Sequence, residues 1–397
     1  TGLDDRDKLV VMDRFSKDAI EFTNAFCSAP SSIMSASSMF TGLTSSYVAR
    51  NYQDWQFTSI VSLQSILKKK GYTIYSIDNS KESREMMQTL IMPIKKKYYP
   101  KGISHADFWK NKDLCRILRN IFEKHKPNKK SFFMLWFDCR EDPTTSDCVE
   151  EALNIFKEYD FYDDGIFFLT SDHGYPSPKT GLTYEKMKGI GHDMVITDDN
   201  IKIPLYLKYK DCVPQKISSL VSNVDLSPTV LDLLKIEKKE LSKKAEGISL
   251  LNKIQKIEDD SRIIRIDTRL FSQDNRITAL RSRTHKFVHY IDQNKFELYD
   301  LVNDEDELNP IKIEGNQNKI FNEFKNKYLE WQKVINNYHY DEIFLNLKKI
   351  ENIIIKSKKI ILLNRLPKEL LKIIIDQIIQ LNSEIKIYLI NDFLNLN

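Results

Sequence analysis

Two apolar runs constrain the fold of this chain more than any other feature: KSFFMLWFD at 130–138 and DGIFFLTSDHG at 164–174. Each is short for a helix, and neither alternates polar with apolar residues, so neither has a side meant for water. Such runs suit strands of a parallel sheet, buried on both faces. The second run ends in Asp172, His173 and Gly174. A strand that only fills a core has no use for an acid and an imidazole at its tip.

The flanking segments supply the layers that would cover such strands. DKLVVMDRFSKDAIEFTNAF (7–26) reads as a helix followed by an extended segment. SIVSLQSILKKKGYTIYSID (59–78) reads as an amphipathic helix, a stop at Gly71 and a strand. SDCVEEALNIFKEYDF (146–161) is a helix capped by Ser146 or Asp147, and IKIPLYLKY (201–209) is a further strand. This alternation through the first 210 residues predicts an α/β fold with a mostly parallel sheet covered by helices on both faces. VSNVDLSPTVLDLLKI (221–236) reads as a loop and a helix with Pro228 near its first turn. ITALRSRTHKFVHYIDQNKFELYDL (277–301) reads as two or three strands of a small C-terminal antiparallel subregion, and 318–338 as an amphipathic helix. Phe271, Tyr290 and Trp331 are assigned to packing. The tail, 358–392, reads strand, helix, strand. One βαβ unit cannot bury both faces of its own sheet, so it docks on the main domain or begins a second α/β domain. The expected division is a main domain over 1–339 and an additional βαβ segment over 340–397.

Composition removes several function classes. The 397 residues are 41% hydrophobic, enough for a sizeable core, and the net charge of +4 with no basic stripe argues against nucleic acid. The five cysteines are odd in number, scattered, and without metal spacing, which speaks against a disulfide framework and favours a reducing compartment. No apolar run reaches the ~18 residues of a membrane-spanning helix.

Open parallel sheets bind ligands at the carboxyl ends of their strands, where Asp172 and His173 fall. A carboxylate beside an imidazole suits a divalent ion; a turn with a capping acid and a surface histidine would read the same way. GIGHDMVITDDNIKIPLYLKY places His192 in a glycine-bearing loop ahead of a strand. CSAPSSIMSASSMFTGL places small hydroxylated residues at the start of a short helix, stopped before by Pro30, capped by Ser32 and closed by Gly42. A serine there faces backbone N–H groups that favour an anionic substrate and a forming alkoxide, although an ordinary serine cap has the same sequence.

Taken in order, five segments over residues 7–335 resemble the sulfatase / alkaline phosphatase superfamily: FTNAFCSAPSSIMSASSMFTGL, FFLTSDHG, GHD…IKIPLYL, NVDLSPTVLDLLKI and FELYDLVNDEDELNP. The resemblance implies an alkaline-phosphatase-like fold and metal-assisted attack on a sulfate or phosphate ester of a small molecule, glycan or lipid. It places Ser32 at the nucleophile position, Asp172 and His173 among the ligands of a divalent ion (Ca, Mn, Zn or Mg), and His192 beside the ester oxygens or leaving group. Lys186 or Lys188 could add positive charge there, although a loop lysine is more often simply solvated.

Two departures shape the expected activity. Sulfatases of the family carry Cys or Ser, any residue, Pro, any residue, Arg, the pattern read by the enzyme that makes formylglycine. Here the stretch is Ser32-Ile33-Met34-Ser35-Ala36, and Cys27 is too far upstream to substitute. An unmodified serine is more like the phosphoesterase and phosphotransferase branches, including phosphoethanolamine- or phosphoglycerol-type transferases. The resemblance also implies an acidic strand before VMDRFSKDAIEF, where only TGLDDRDKL stands; Asp4 and Asp5 follow no apolar run and read as solvated acids. Asp138, Arg140 and Asp142, after the first apolar run, could line the same cleft and bind substrate, but read more readily as a charged surface loop. The expectation is a sulfuric or phosphoric ester hydrolase with an incomplete metal site in this chain, the alternative being a binding module without turnover.

Overall fold

The computed structural model describes residues 9–48, 61–78, 101, 110–137, 144–176, 192–254, 261–268, 276–313, 318–349, 359–363, 372, 375–376, 378–380, 383 and 386–390. Two compact units emerge, one of Thr1–Trp55 with Ser59–Phe321, the other of Gln56–Thr58 with Asn322–Asn397.

The first unit contains the expected α/β layers. Helix α1 (Leu9–Phe15) leads into strand β1 (Ile20–Phe26), and α2 (Ser32–Thr41) follows directly. Helix α3 (Leu63–Lys69) turns through Gly71, at φ 86°, into β2 (Thr73–Asp78). Helix α4 (Asn111–Asn120) precedes β3 (Ser131–Trp136), and α5 (Thr145–Glu158) precedes β4 (Phe167–Thr170). Strands β5 (Leu205–Lys208) and β6 (Gln215–Ser222) come before α6 (Leu226–Leu233).

The two apolar runs pack on both sides, with most of their side chains half-buried. In β3, Phe133 and Leu135 pack with α4 and α5, while Phe132, Met134 and Trp136 pack with α2, α3 and α6. In β4, Phe167 and Leu169 enter the first of these clusters and Phe168 the second. Successive strand side chains point to opposite faces, so each face receives its own apolar set.

Strands β2 and β3 pair in parallel. The larger sheet has the order β4-β5-β1-β6, with β1 and β6 parallel. Strand β5 runs antiparallel to both β1 and β4. Thr170, at the end of β4, pairs with Leu205, at the start of β5, so the chain leaves and re-enters the sheet at one edge. That geometry reverses β5 and leaves 171–176 and 192–204 at the carboxyl ends of β4, β1 and β6.

The C-terminal subregion of this unit is a four-stranded antiparallel sheet, β10-β9-β8-β7, made of β7 (Ile264–Asp267), β8 (Ile277–Arg281), β9 (His285–Tyr290) and β10 (Lys295–Asp300). Its Ile264, Ile266, Ala279 and Val288 share a core with Ile20, Phe22, Leu207 and Leu220 of the larger sheet. Strands β6 and β7 were not evident from the sequence. In β6, serines occupy buried positions, and in β7 Arg265 and Asp267 are buried against each other.

In the second unit, most of helix α7 (Lys319–Lys349) precedes β11 (Lys359–Leu363) and β12 (Lys386–Ile390), which pair in parallel from Lys359–Lys386 to Leu363–Ile390. Helical residues between them, at 372, 375–376 and 378–380, complete the strand-helix-strand order read from the tail.

Candidate active site

Strands β1, β4 and β6 run the same way, so Ser28, the Asp172–His173 pair and Asn223 come out at one edge of the sheet. Helix α2 starts at that edge. Its N-cap is Ser31, in extended backbone, with no side-chain capping bond. Ser32, expected as the cap, is instead the first helical residue. Ser31, the same residue type and as ready an N-cap, takes that place in its extended backbone. Gly42 closes the helix in left-handed backbone (φ 70°), as expected. With its cap side chain unbonded, the first turn keeps backbone N–H groups that have no intrahelical acceptor.

Ser32 Oγ lies 3.2 Å from His173 Nε2. His173 Nδ1 lies 2.7 Å from the Gly174 carbonyl oxygen. A carbonyl only accepts, so Nδ1 carries a proton, and in the neutral ring Nε2 turns its lone pair toward Ser32. The same Nε2 is 3.3 Å from Asp172 Oδ2, and both side chains are mostly buried, with 11% and 19% of their surface exposed. A lone pair facing a carboxylate oxygen is repelled unless a positive charge sits between them.

His192 begins a 3₁₀ turn, His192–Met194, and its ring stacks on His173 with centroids 4.6 Å apart and planes 25° apart. Tyr175 flanks its ring at 5.7 Å. Three distant stretches of chain, at Ser32, Asp172–His173 and His192, thus meet at one place. Lys186 and Lys188, Asp138, Arg140 and Asp142, and Asp4 and Asp5 lie outside the described residues.

Polar residues that the sequence did not single out tie these stretches together. Ser35, one turn along α2 from Ser32, donates from Oγ to the Asp172 backbone oxygen at 2.5 Å. Asn223 Nδ2 donates to Ser35 Oγ at 2.7 Å, and Asn223 Oδ1 accepts from the Ser28 N–H at 3.0 Å. Asn200 Nδ2 donates to the carbonyls of His192 and Val195. The hydroxyl-rich run in α2 was the available signal for Ser35; an isolated asparagine carries none. Cys27 is also beside the site. Burial, and then the negative charge of Asp172, raise its thiol far above its ordinary value, so it stays protonated and is no nucleophile.

Among the described residues, no three of His, Cys, Asp and Glu converge to hold a metal ion by themselves. The pair Asp172–His173 fits the beginning of such a site. With the ring neutral, its lone pair and the carboxylate can share a cation, and the Nδ1–H bond to a backbone carbonyl is the usual support of a metal-binding imidazole.

Residues 192–334 match the family described as N-sulphoglucosamine sulphohydrolase, C-terminal. A structure solved in complex with its substrate D-glucosamine-2-N,6-O-disulfate superposes with a TM-score of 0.65 at 14% identity, covering 83% of this chain and 94% of that one. A protein in the alkaline phosphatase superfamily from Vibrio parahaemolyticus gives 0.60 at 17%, over 83% and 81%. A 2-O GAG sulfatase gives 0.58 at 15%, over 83% and 88%. Segment order, family match and three-dimensional likeness agree: this chain has the fold of the sulfatase / alkaline phosphatase superfamily.

Proposed function

We propose that this chain hydrolyses a sulfuric ester, with the Ser32 hydroxyl as the attacking group. The observation that carries the reading is the placement of Ser32 Oγ at the N-terminus of α2, 3.2 Å from the imidazole of an Asp–His pair at a strand end. The free N–H groups of the first turn stabilise negative charge on Oγ and on the ester oxygens. Ser32 is partly exposed, so water can take its proton. Oγ then bonds to sulfur while the bond from sulfur to the ester oxygen breaks, and His192 protonates the leaving alkoxide. Water then attacks the sulfur of the Ser32 ester and gives a proton back to His192, while the departing Ser32 Oγ regains a proton from solvent, so the balance is ester plus water to alcohol plus sulfate and the proton it releases. A divalent ion, held in part by Asp172 and His173, would supply Lewis-acid charge at the ester oxygens. The relatives' sulfated sugars make a sulfated glycan the substrate class favoured here.

Ser32-Ile33-Met34-Ser35-Ala36 favours a second reading, a phosphoric ester hydrolase or transferase. An unmodified serine ester of phosphate is opened by water more readily than one of sulfate, which usually needs the hydrated aldehyde of formylglycine to expel it. Turnover of aryl sulfate and aryl phosphate by the full chain, with Ca²⁺, Mn²⁺, Zn²⁺ or Mg²⁺ and with chelator, decides between them. Sulfate turnover that is lost on chelation and in Ser32→Ala supports the first reading. A phosphate preference supports the second, turnover of neither ester favours a binding module, and unchanged turnover in Ser32→Ala refutes Ser32 as the attacking group.

A further inference from the structure

The turn that carries His192 is built more rigidly than a surface loop needs to be. Its 198–201 stretch is a single helical turn, fixed from below by buried charges of the antiparallel sheet. Arg281 Nη2 and Lys286 Nζ each reach the Asp198 carboxylate at 2.6 Å. Lys286 also donates to the Ile196 carbonyl at 3.0 Å, and the Asp198 N–H donates to Glu307 Oε1 at 2.6 Å. On this base sits Asn200, fully buried.

Asn200 faces the site segments in two directions. Its backbone carbonyl accepts from the Gly174 N–H at 2.8 Å, at the tip that bears Asp172 and His173. Its side-chain NH₂ donates to the His192 carbonyl at 2.7 Å and to the Val195 carbonyl at 2.5 Å. Two carbonyls accept only, so the amide orientation is settled by its surroundings. The other end of the amide, Oδ1, is buried without a hydrogen-bond partner among the described residues.

We propose that Asn200 is a positioning residue: it holds the His192 turn against the His173–Gly174 strand tip and thereby sets the stacked pair of imidazoles. The inference rests on the reading of His192 as a group beside the ester, but its geometry is testable without turnover. A shift on the order of 1 Å between His192 and the strand tip lowers turnover about a hundredfold.

The test is histidine-ring NMR on the full chain labelled with ¹³C and ¹⁵N, with His192 assigned through His192→Gln. In Asn200→Ala the ring signals of His192 and His173 should move while those of His285, on β9, stay, and ester turnover should fall about a hundredfold through kcat rather than KM. Asn200→Ser keeps one donor and should lie between the two. If a folded Asn200→Ala protein keeps the wild-type ring signals of His192 and His173, the proposal is overturned, whatever its melting temperature. If Asn200→Ala fails to fold, the same reading is made on Asn200→Ser, and unchanged ring signals there overturn it. A wild-type protein without ester turnover defeats the proposed function, and the ring signals still decide the role of Asn200.

Discussion

Gly174→Ala isolates the close approach on which the site depends. A Cβ at this position would sit 2.3 Å from the Asp199 carbonyl oxygen and 3.2 Å from the carbonyl carbon and oxygen of Asn200. Ordinary contact begins near 3.4 Å, so the strand tip and the 198–200 turn must part by about 1 Å. Every atom in the way is backbone, so no side chain can swing aside. The 2.8 Å bond from the Gly174 N–H to the Asn200 carbonyl lies in the same gap and lengthens with it. Overpacking of this kind costs about 1–3 kcal/mol. A displacement of about 1 Å between His173 and His192 lowers turnover of the ester about a hundredfold. Gly71→Ala is the control, because nothing lies within 4 Å of its added Cβ and its positive φ of 86° brings backbone strain alone. That variant should lose about 1–2 kcal/mol and keep the wild-type rate. Urea unfolding and initial rates on the ester that the wild type turns over would measure both proteins. The reasoning fails if Gly174→Ala unfolds and turns over like the wild type.

The other two predictions concern buried titratable groups. Burial alone would raise the Asp198 carboxyl, but Lys286 and then Arg281 outweigh it and hold it well below the usual carboxylate range. Its contribution to stability is therefore complete above its unfolded value of about 3.9 and fades as pH drops below about 4 toward the lower folded value. Glu307 runs the other way, because burial raises it, so acidification relieves part of its cost. Asp198→Asn should lose about 3–5 kcal/mol at neutral pH and flatten the acid limb of stability against pH; an unaltered limb in denaturant melts from pH 3 to 7 would contradict this. Burial also raises the thiols of Cys27 and Cys115, whereas Cys212 is only half-buried. Mass spectrometry after brief alkylation of the folded protein should find Cys212 labelled and Cys27 and Cys115 intact; early labelling of Cys27 would show that the site is more open than described.

Much of the fold was legible because its strands and helices carry strong, opposite patterns. The runs at 130–138 and 164–174 have no polar face, and their strands, β3 and β4, pack on two sides. Helix α2 was framed by Pro30 and Gly42, residues whose effect on the backbone is local. Strand β7 was hidden because two of its buried positions are charged: Arg265 and Asp267 pair with each other, and Asp267 also accepts from Ser45, Ser46 and Thr278. Strand β6 was hidden because serines, which look solvated in a sequence, take buried positions in it.

The residue types at the candidate site were readable in the same way. An acid–imidazole pair closing an apolar strand and a serine opening a short helix are local signals. Their meeting is not. Ser32 and His173 are 141 positions apart, and only the reversal of β5 and the parallel course of β1, β4 and β6 bring their atoms within 3.2 Å. Asn200 and Asn223 illustrate the limit further, since an asparagine has no periodicity and its partners lie in other segments. Sequence determined which elements form, because hydrophobic period and turn chemistry act over a few residues. Tertiary structure alone decided which groups face one another, because hydrogen bonds across a sheet edge depend on strand order and direction, which local pattern does not encode.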